Sequence, residues 1–223
     1  MIKSVIFDLD DTLTSEKGYA ISGFRHIALL LSEKFQIDNE IIFKELVFLF
    51  ETDTNKVFNR FFEKHKIIYN ESCITDLINK YRNHIPQIKF YNDVIPCIQE
   101  LKKKNIRSGI ITDGYLNSQK QKLKALNAYD YFDKIIITSE LGQDYFKPNP
   151  YAFTLIKDFF GFEYDEMIYI GDNPNKDFFI SSIYPIKCIR IMRENAVYKN
   201  ADYKGNIKES YRINSLQELN RVI

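Results

Sequence analysis

The sequence lacks several features that would place it quickly in a class of protein. It has no tryptophan, no uninterrupted apolar run long enough to span a bilayer, and only three cysteines in 223 residues. Cys73, Cys97 and Cys188 are widely separated and form no C-x-x-C pair, so neither a disulfide framework nor a zinc site is predicted. The N-terminal segment has no signal-peptide pattern, and we expect a cytoplasmic protein.

Net charge is also nearly absent, because 31 basic residues face 30 acidic ones. No overall field draws the protein to nucleic acid or to an anionic membrane, and we expect neither partner. The run of aromatic and basic residues from Phe58 to Lys66 could resemble a nucleic-acid patch, but its spacing favours an amphipathic helix. A hydrophobic content of 45% is enough for a globular protein of one large or two small domains.

The opening stretch carries the clearest chemical signal. An apolar segment, 2–7, is predicted to be a buried strand, and it stops at Asp8, Asp10 and Asp11. A lone Asp at this position would suit a helix N-cap. Side chains at i and i+2 of an extended segment point to the same side, so Asp8 and Asp10 are expected to converge unless the chain bends sharply after Asp8. Two converging carboxylates would need a cation such as Mg²⁺.

The remaining sequence changes period twice. A helical period of about 3.6 holds for some seventy residues and predicts four helices between residues 16 and 89. From Asn92 onward, short apolar strands alternate with helices of about ten residues. Four such strands are predicted near 108–111, 134–137, 167–170 and 187–192. With the first strand, the predicted total is five.

This pattern predicts an α/β fold with a Rossmann-like parallel sheet, helices on both faces, and an inserted all-helical cap. The predicted core comprises residues 1–15 and 90–223, and the predicted cap comprises 16–89. The tail, 211–223, is predicted to end in a helix and carries no recognisable chemistry.

Polar side chains follow most of the predicted strands, and the carboxyl ends of parallel strands share one edge of a sheet. Carboxylates, a hydroxyl and an ammonium group are the parts needed to bind Mg²⁺ and to transfer a phosphoryl group through an aspartyl-phosphate. The residues concerned are Asp8, Asp10, Thr112, Lys147, Asp172 and Asp177.

Four of these stretches together resemble a known family. Asp-Leu-Asp-Asp-Thr-Leu, the strand end at Thr112, Lys147-Pro and Gly-Asp-Asn-Pro-Asn-Lys-Asp are similar to motifs I to IV of the haloacid dehalogenase-like hydrolase superfamily. The resemblance covers residues 1–15 and 92–192, and the helical insert is similar in position and size to the family's C1 cap. It implies a Mg²⁺-dependent phosphatase acting on a small phosphorylated metabolite.

The resemblance also implies roles for individual residues. Asp8 would be the nucleophile, and Asp10 would protonate the leaving oxygen and later activate water. Lys147 would offset the clustered negative charge. The phosphoryl group would be bound by Thr112, Asp113, Gly114 and Lys147.

The implied metal site includes Asp8 and Asp172 as ligands, with Asp10 contributing its backbone carbonyl and Asp177 acting indirectly. The carboxylate of Asp113 is a departure beside the phosphate-binding Thr112. For Asp113 we favour a helix-capping or turn role over a metal role.

Several alternatives remain open at this stage. A phosphomutase of the same fold needs the same residues, and a non-catalytic phosphate-binding module would keep the fold alone. A phospho-accepting receiver domain would be about half this length and would lack the helical insert. The substrate is open among sugar phosphates, phosphoglycolate and nucleoside monophosphates, and the protein could be a monomer or a homodimer. Tyr19, Phe24 and Arg25 are candidates for leaving-group contacts, although packing explains them equally well.

Overall fold

A computed structural model describes all residues from Met1 to Ile223 and contains six β-strands and seven α-helices. The strands are β1 (Ser4–Phe7), β2 (Arg107–Thr112), β3 (Lys134–Ile137), β4 (Met167–Gly171), β5 (Lys187–Ile191) and β6 (Tyr211–Ile213). The helices are α1 (Glu16–Phe35), α2 (Asn39–Thr52), α3 (Val57–Lys64), α4 (Glu71–Asn83), α5 (Val94–Lys103), α6 (Leu116–Ala125) and α7 (Tyr151–Phe160).

The strands form one parallel sheet in the order β3-β2-β1-β4-β5-β6. At the carboxyl end of β1, Phe7 pairs with Ile110 of β2 on one side and with Ile170 of β4 on the other. β1 therefore lies between the two halves of the sheet, and a crevice is expected beyond its carboxyl end. The predicted α/β fold with a parallel sheet is confirmed.

The sixth strand was not predicted from the sequence. In β6 only Ile213 is buried, while Tyr211 and Arg212 are exposed, so this edge strand has no apolar run to reveal it. The predicted terminal helix is a short 3₁₀ segment, Leu216–Arg221, which begins at Ser215 with a capping box formed with Glu218.

The sheet is covered by helices on both faces, as predicted. Val5 and Phe7 of β1 belong to one apolar cluster, which contains residues of α5 and α6. Ile6 belongs to another cluster, which contains residues of α7. All residues of β1 are buried, because a central parallel strand contacts other elements on each face.

The chain forms two compact units, one comprising Met1–Lys17 with Ile88–Ile223 and the other comprising Gly18–Gln87. The second unit has its own core of aliphatic and aromatic side chains. Within α3, Phe58, Phe61 and Phe62 are buried while the side chain of Lys64 is exposed. The prediction of an amphipathic helix at the aromatic and basic run is therefore confirmed.

Of the helix N-caps in this unit, one was predicted correctly and two were not. Asp38 caps α2 near the predicted position, with its carboxylate accepting from the Glu40 and Ile41 amides. The predicted Ser72 cap of α4 was wrong, because Asn70 accepts from the Cys73 amide instead. The predicted Thr54 or Asn55 cap of α3 was also wrong.

Lys56 is the N-cap residue of α3, and it has a left-handed conformation and no side-chain cap.

The three candidate leaving-group contacts of the helical unit take part in packing. Tyr19 and Phe24 are buried, and Arg25 pairs with Glu40 and stacks over the ring of Phe43. No helix combines the length and apolar character needed to cross a bilayer.

Candidate active site

The first loop of the site follows β1 directly. Asp8 is 3% exposed, and its amide donates to the Ile170 carbonyl of β4 at 2.8 Å, which extends the pairing of the strands by one residue. Asp11 has a positive φ of 50°, and its carboxylate accepts from the amides of Glu16 at 2.9 Å and Val197 at 2.8 Å. Asp11 therefore shapes the turn that leads into α1.

Lys147 is the cation nearest to Asp8. Its Nζ donates to Asp8 Oδ1 at 2.6 Å, to Asp177 Oδ1 at 2.8 Å and to the Tyr169 hydroxyl at 2.6 Å, and its side chain is completely buried. Burial favours the neutral amine, but attraction by Asp177 and Asp8 outweighs burial and raises the pKa of Lys147 well above its usual value. Lys147 is therefore a permanent positive charge inside the site.

Three carboxylates meet beside this ammonium group. These carboxylates form an acidic triad of Asp8, Asp172 and Asp177. Each offers one oxygen, and these oxygens lie within 4.8 Å of one another. Oδ2 of Asp172 is buried and has no hydrogen-bond partner. Burial, with the negative charges of Asp177 and Asp8, raises the pKa of Asp172 to about 9. Burial also raises the pKa of Asp8 to about 6, against the attraction of Lys147.

This cluster therefore has an excess of negative charge, because three buried carboxylates lie beside the single ammonium group of Lys147 that contacts two of them. An oxygen without a partner in such surroundings is costly unless a cation or a proton satisfies it. Oxygen donors of this kind are the preferred ligands of hard divalent ions. The three carboxylates fit a divalent metal ion.

Asp177 is held more firmly than the other two carboxylates. Its Oδ1 accepts from Lys147 and from the Tyr169 hydroxyl, and its Oδ2 accepts from the Asn173 amide at 2.9 Å. The carboxylate lies directly against Gly171 at the end of β4, where an added Cβ would stand 2.3 Å from Asp177 Oδ2. Only glycine at position 171 allows the carboxylate to occupy this place.

The end of β2 brings Thr112 to the same edge of the sheet. Thr112 is fully buried, and its Oγ1 accepts from Gln119 Nε2 at 2.6 Å. Gly114 has a φ of +138°, which side-chain-bearing residues rarely adopt, and this lets the chain turn sharply into α6.

Asp113 does not cap α6, so the helix-cap half of the favoured cap or turn role was wrong. Tyr115 is the N-cap residue of α6 and provides no side-chain cap. The Asp113 carboxylate instead accepts from the Thr138 hydroxyl at 2.8 Å, from the Lys147 amide at 3.1 Å and from Lys176 Nζ at 3.0 Å. Asp113 therefore ties the loop that carries Lys147 to the ends of β2 and β3.

The carboxylate of Asp10 does not belong to the acidic triad. Its Oδ1 accepts from Lys122 Nζ at 2.7 Å, and its Oδ2 accepts from Gln119 Nε2 at 2.9 Å. Lys122 Nζ also lies 2.7 Å from Glu16 Oε2. Burial opposes ionisation of Asp10, but Lys122 outweighs burial and lowers the pKa of Asp10. Burial and the charge of Asp10 raise the pKa of Glu16 to about 7.

The structure thus brings Asp8, Lys147, Asp172 and Asp177 into one cluster and places Asp10 in a second. Several polar residues that contribute to the site were missed from the sequence: Glu16, Gln119, Lys122, Tyr169 and Lys176. Gln119 and Lys122 are three residues apart, which places them on one face of a helix, and this spacing was the sign in the sequence that they could act together. Their partners are distant in sequence, so the spacing alone did not reveal them.

The fold and the site together define an α/β protein with a buried centre of carboxylates and lysine at the carboxyl edge of a parallel sheet. Comparison with known families agrees with this description. Residues 5–191 match the haloacid dehalogenase-like hydrolases, and the chain belongs to this family.

Two named relatives extend over most of the chain. A glyceraldehyde 3-phosphate phosphatase of Methanocaldococcus jannaschii is 29% identical over 224 residues, covering 98% of this chain and 96% of that protein. A putative pyrophosphatase PpaX of Clostridium perfringens is 27% identical over 179 residues, covering 78% of this chain and 77% of that protein. The predicted membership of the hydrolase superfamily is confirmed.

Solved structures share the fold over almost the whole chain. An HAD phosphatase from Thermococcus onnurineus superposes with a TM-score of 0.62 at 24% identity, covering 99% of this chain and 97% of that one. An L-2-haloacid dehalogenase from Xanthobacter autotrophicus gives a TM-score of 0.60 at 16% identity, covering 100% and 98%. One fold thus accommodates enzymes of both names.

Proposed function

We propose that this protein is a Mg²⁺-dependent phosphatase that hydrolyses a small phosphomonoester, with Asp8 as the nucleophile. The observation that carries the proposal is the buried Asp8 carboxylate, which Lys147 contacts at 2.6 Å beside Asp172 and Asp177. A carboxylate in this position, with a fixed cation next to it, has the parts needed to accept a phosphoryl group.

The metal would be held by Asp8 and Asp172. The unpartnered Oδ2 of Asp172 supplies a free oxygen ligand, and the backbone carbonyl of Asp10 remains the third proposed protein ligand. Each oxygen of Asp177 already accepts hydrogen bonds from the protein, so we assign Asp177 to positioning Lys147. When bound, Mg²⁺ would neutralise the carboxylates and polarise a phosphoryl oxygen.

The protein groups then divide the reaction into two steps. In the first, an Asp8 oxygen forms a bond to phosphorus while the bond to the leaving oxygen breaks. Asp10, which Lys122 keeps ionised at rest, first takes up a proton from solvent and then gives it to that oxygen. In the second, Asp10 removes a proton from water, which attacks phosphorus and releases inorganic phosphate and the Asp8 carboxylate. Lys147 and the Thr112 hydroxyl would stabilise the negative charge on the transferring group.

The residue at position 10 is an aspartate, which can carry a proton. This supports phosphate ester hydrolysis over dehalogenation. A phosphate ester needs its leaving oxygen protonated, whereas a halide needs no proton. The named relatives are a glyceraldehyde 3-phosphate phosphatase and a putative pyrophosphatase, so triose phosphates and pyrophosphate head the candidate substrates. We further propose that the helical unit Gly18–Gln87 serves as the cap that excludes water and contacts the leaving group.

The test is release of inorganic phosphate from 4-nitrophenyl phosphate with and without Mg²⁺. We expect turnover that requires Mg²⁺ and that is lost in Asp8→Asn. Asp158→Asn is the matched control, because this carboxylate is 65% exposed and lies on α7, away from the acidic triad. Unchanged turnover in Asp8→Asn would remove Asp8 as the nucleophile.

A screen of phosphorylated metabolites then identifies the substrate. Glyceraldehyde 3-phosphate, pyrophosphate, phosphoglycolate, hexose phosphates and nucleoside monophosphates should be compared by kcat/KM. Free phosphate is expected as the product. An isomeric phosphate formed without free phosphate would assign the protein as a mutase instead.

A further inference from the structure

Lys122 is a buried lysine that the reaction described above does not use. It lies in the middle of α6 and is 3% exposed, whereas Lys124 on the same helix is exposed. A lysine in the interior loses its hydration, so its charge must be matched by nearby carboxylates. Its Nζ has two such partners, Asp10 Oδ1 and Glu16 Oε2, each at 2.7 Å.

Gln119 supplies the other half of the arrangement. It lies one helical turn before Lys122, and its Nε2 is 2.9 Å from Asp10 Oδ2. The two oxygens of Asp10 are therefore held by two different donors from one face of α6. A carboxylate fixed at both oxygens cannot rotate freely, so its orientation relative to Asp8 is set by α6.

The same amide joins Asp10 to the end of β2. Gln119 Nε2 lies 2.6 Å from Thr112 Oγ1 and 2.9 Å from the Asp113 carbonyl. Gln119 thus links the proposed acid and base to the residue proposed to bind the phosphoryl oxygens. On the other side of Lys122, Glu16 shares the ammonium group, and its backbone amide donates a hydrogen bond to the Asp11 carboxylate.

We propose that Lys122 and Gln119 are positioning residues for proton transfer by Asp10. They hold the Asp10 carboxylate in the orientation that delivers a proton to the leaving oxygen. This inference rests on the proposed phosphatase function. It predicts that their loss harms most those phosphate esters whose leaving group needs a proton.

The test compares two substrates of similar shape, 4-nitrophenyl phosphate and phenyl phosphate. Phenolate is the poorer leaving group, so its departure depends more on protonation. In Lys122→Met and Gln119→Ala, kcat/KM for phenyl phosphate should fall at least about tenfold more than kcat/KM for 4-nitrophenyl phosphate, because general acid catalysis is worth about 10²–10⁴ in rate. KM should change little.

Two further variants separate positioning from folding. Lys122→Arg keeps a cation at the Asp10 carboxylate and should restore part of the kcat/KM lost on phenyl phosphate. Lys124→Met removes an exposed lysine from the same helix and should leave both rates unchanged. Circular dichroism on every variant shows whether the fold is kept.

The outcomes are distinct. An equal loss on both substrates, or a rise in KM alone, would overturn the positioning role. If the wild-type protein with Mg²⁺ releases no phosphate from either ester, the phosphatase proposal itself fails. If the wild-type protein is active and Lys122→Met keeps the wild-type ratio of rates, only the present inference fails.

Discussion

Two lysines are buried at the carboxyl edge of the sheet, and they are matched by charge in different ways. Lys147 pairs with Asp8 and Asp177 beside a third carboxylate, Asp172, one oxygen of which has no partner. Lys122 pairs with Asp10 and Glu16, neither of which belongs to the acidic triad. The first cluster has an excess of negative charge, whereas the second is nearer to balance.

The difference indicates different tasks. A cluster with excess carboxylate and an unsatisfied oxygen is suited to accept a cation from solution. A cluster in which one lysine is shared between two half-buried carboxylates is suited to hold a side chain in place. Because both clusters use the same kinds of groups, substitutions in one serve as controls for the other.

The largest effect is expected at Lys147. Lys147→Met leaves Asp8 and Asp177 buried without their cation, so the free energy of unfolding should fall by about 3–5 kcal/mol and turnover should be lost. Urea denaturation and phosphate release measure the two effects. Lys120→Met removes a half-exposed partner of Glu140 and should cost no more than about 1 kcal/mol. Similar losses in the two variants would contradict the assignment of Lys147.

The effect of Mg²⁺ on stability should distinguish the two clusters directly. A ligand that binds only the folded protein at 100 times its Kd adds about 2.7 kcal/mol of stability, so Mg²⁺ should raise Tm and EDTA should reverse the rise. Asp172→Asn should abolish this response because it removes the carboxylate whose oxygen has no partner in the protein. Lys122→Met should keep it. A full response to Mg²⁺ in Asp172→Asn would locate the ion elsewhere.

The second cluster should tolerate the loss of its lysine better than the first. In Lys122→Met, the half-buried carboxylates of Asp10 and Glu16 retain contact with water, so the expected loss is about 2 kcal/mol, the scale of hydrogen bonds to charged groups. Thermal or urea unfolding measures it. A loss as large as that in Lys147→Met would show that the two clusters do not differ in charge balance.

Asp93 and Arg193 provide a balanced buried pair outside both clusters. Arg193 donates to both Asp93 oxygens, at 2.8 and 2.9 Å, and to the Thr12 carbonyl. Burial opposes ionisation of Asp93, but the hydrogen bonds from Arg193 outweigh burial and lower the pKa of Asp93. The stabilisation is therefore present above the unfolded pKa of about 3.9 and is lost as pH falls through the lower folded pKa.

We expect Asp93→Asn to cost about 1 kcal/mol near pH 7, because asparagine keeps one acceptor for Arg193. The difference from the wild-type protein should begin to shrink below about pH 4, where Asp93 of the unfolded chain takes up a proton, and should vanish below the lower folded pKa. Urea unfolding at a series of pH values measures it. A difference that stays constant down to pH 2 would exclude the charge of Asp93 as the cause.

Much of the fold was predicted from local patterns. The strand that ends at Asp8 is continuous and apolar, and helical periodicity separated the insert from the alternating segments that follow. β6 was not predicted because an edge strand with one buried residue, Ile213, carries no such pattern. The helix caps were predicted less well, since Asn70 and Ser72 are both good cap residues and only the backbone geometry selects between them.

The sequence by itself determined which chemical groups stand at the ends of the strands, because a buried parallel strand is apolar and the polar residue that stops it is visible in the chain. It placed Asp8 and Asp172 at one edge. Only the tertiary structure decided what those groups contact. Lys122 lies 112 residues from Asp10 in sequence, and Lys147 lies 139 residues from Asp8. Contacts over such distances depend on how helices pack against the sheet, which no local pattern records.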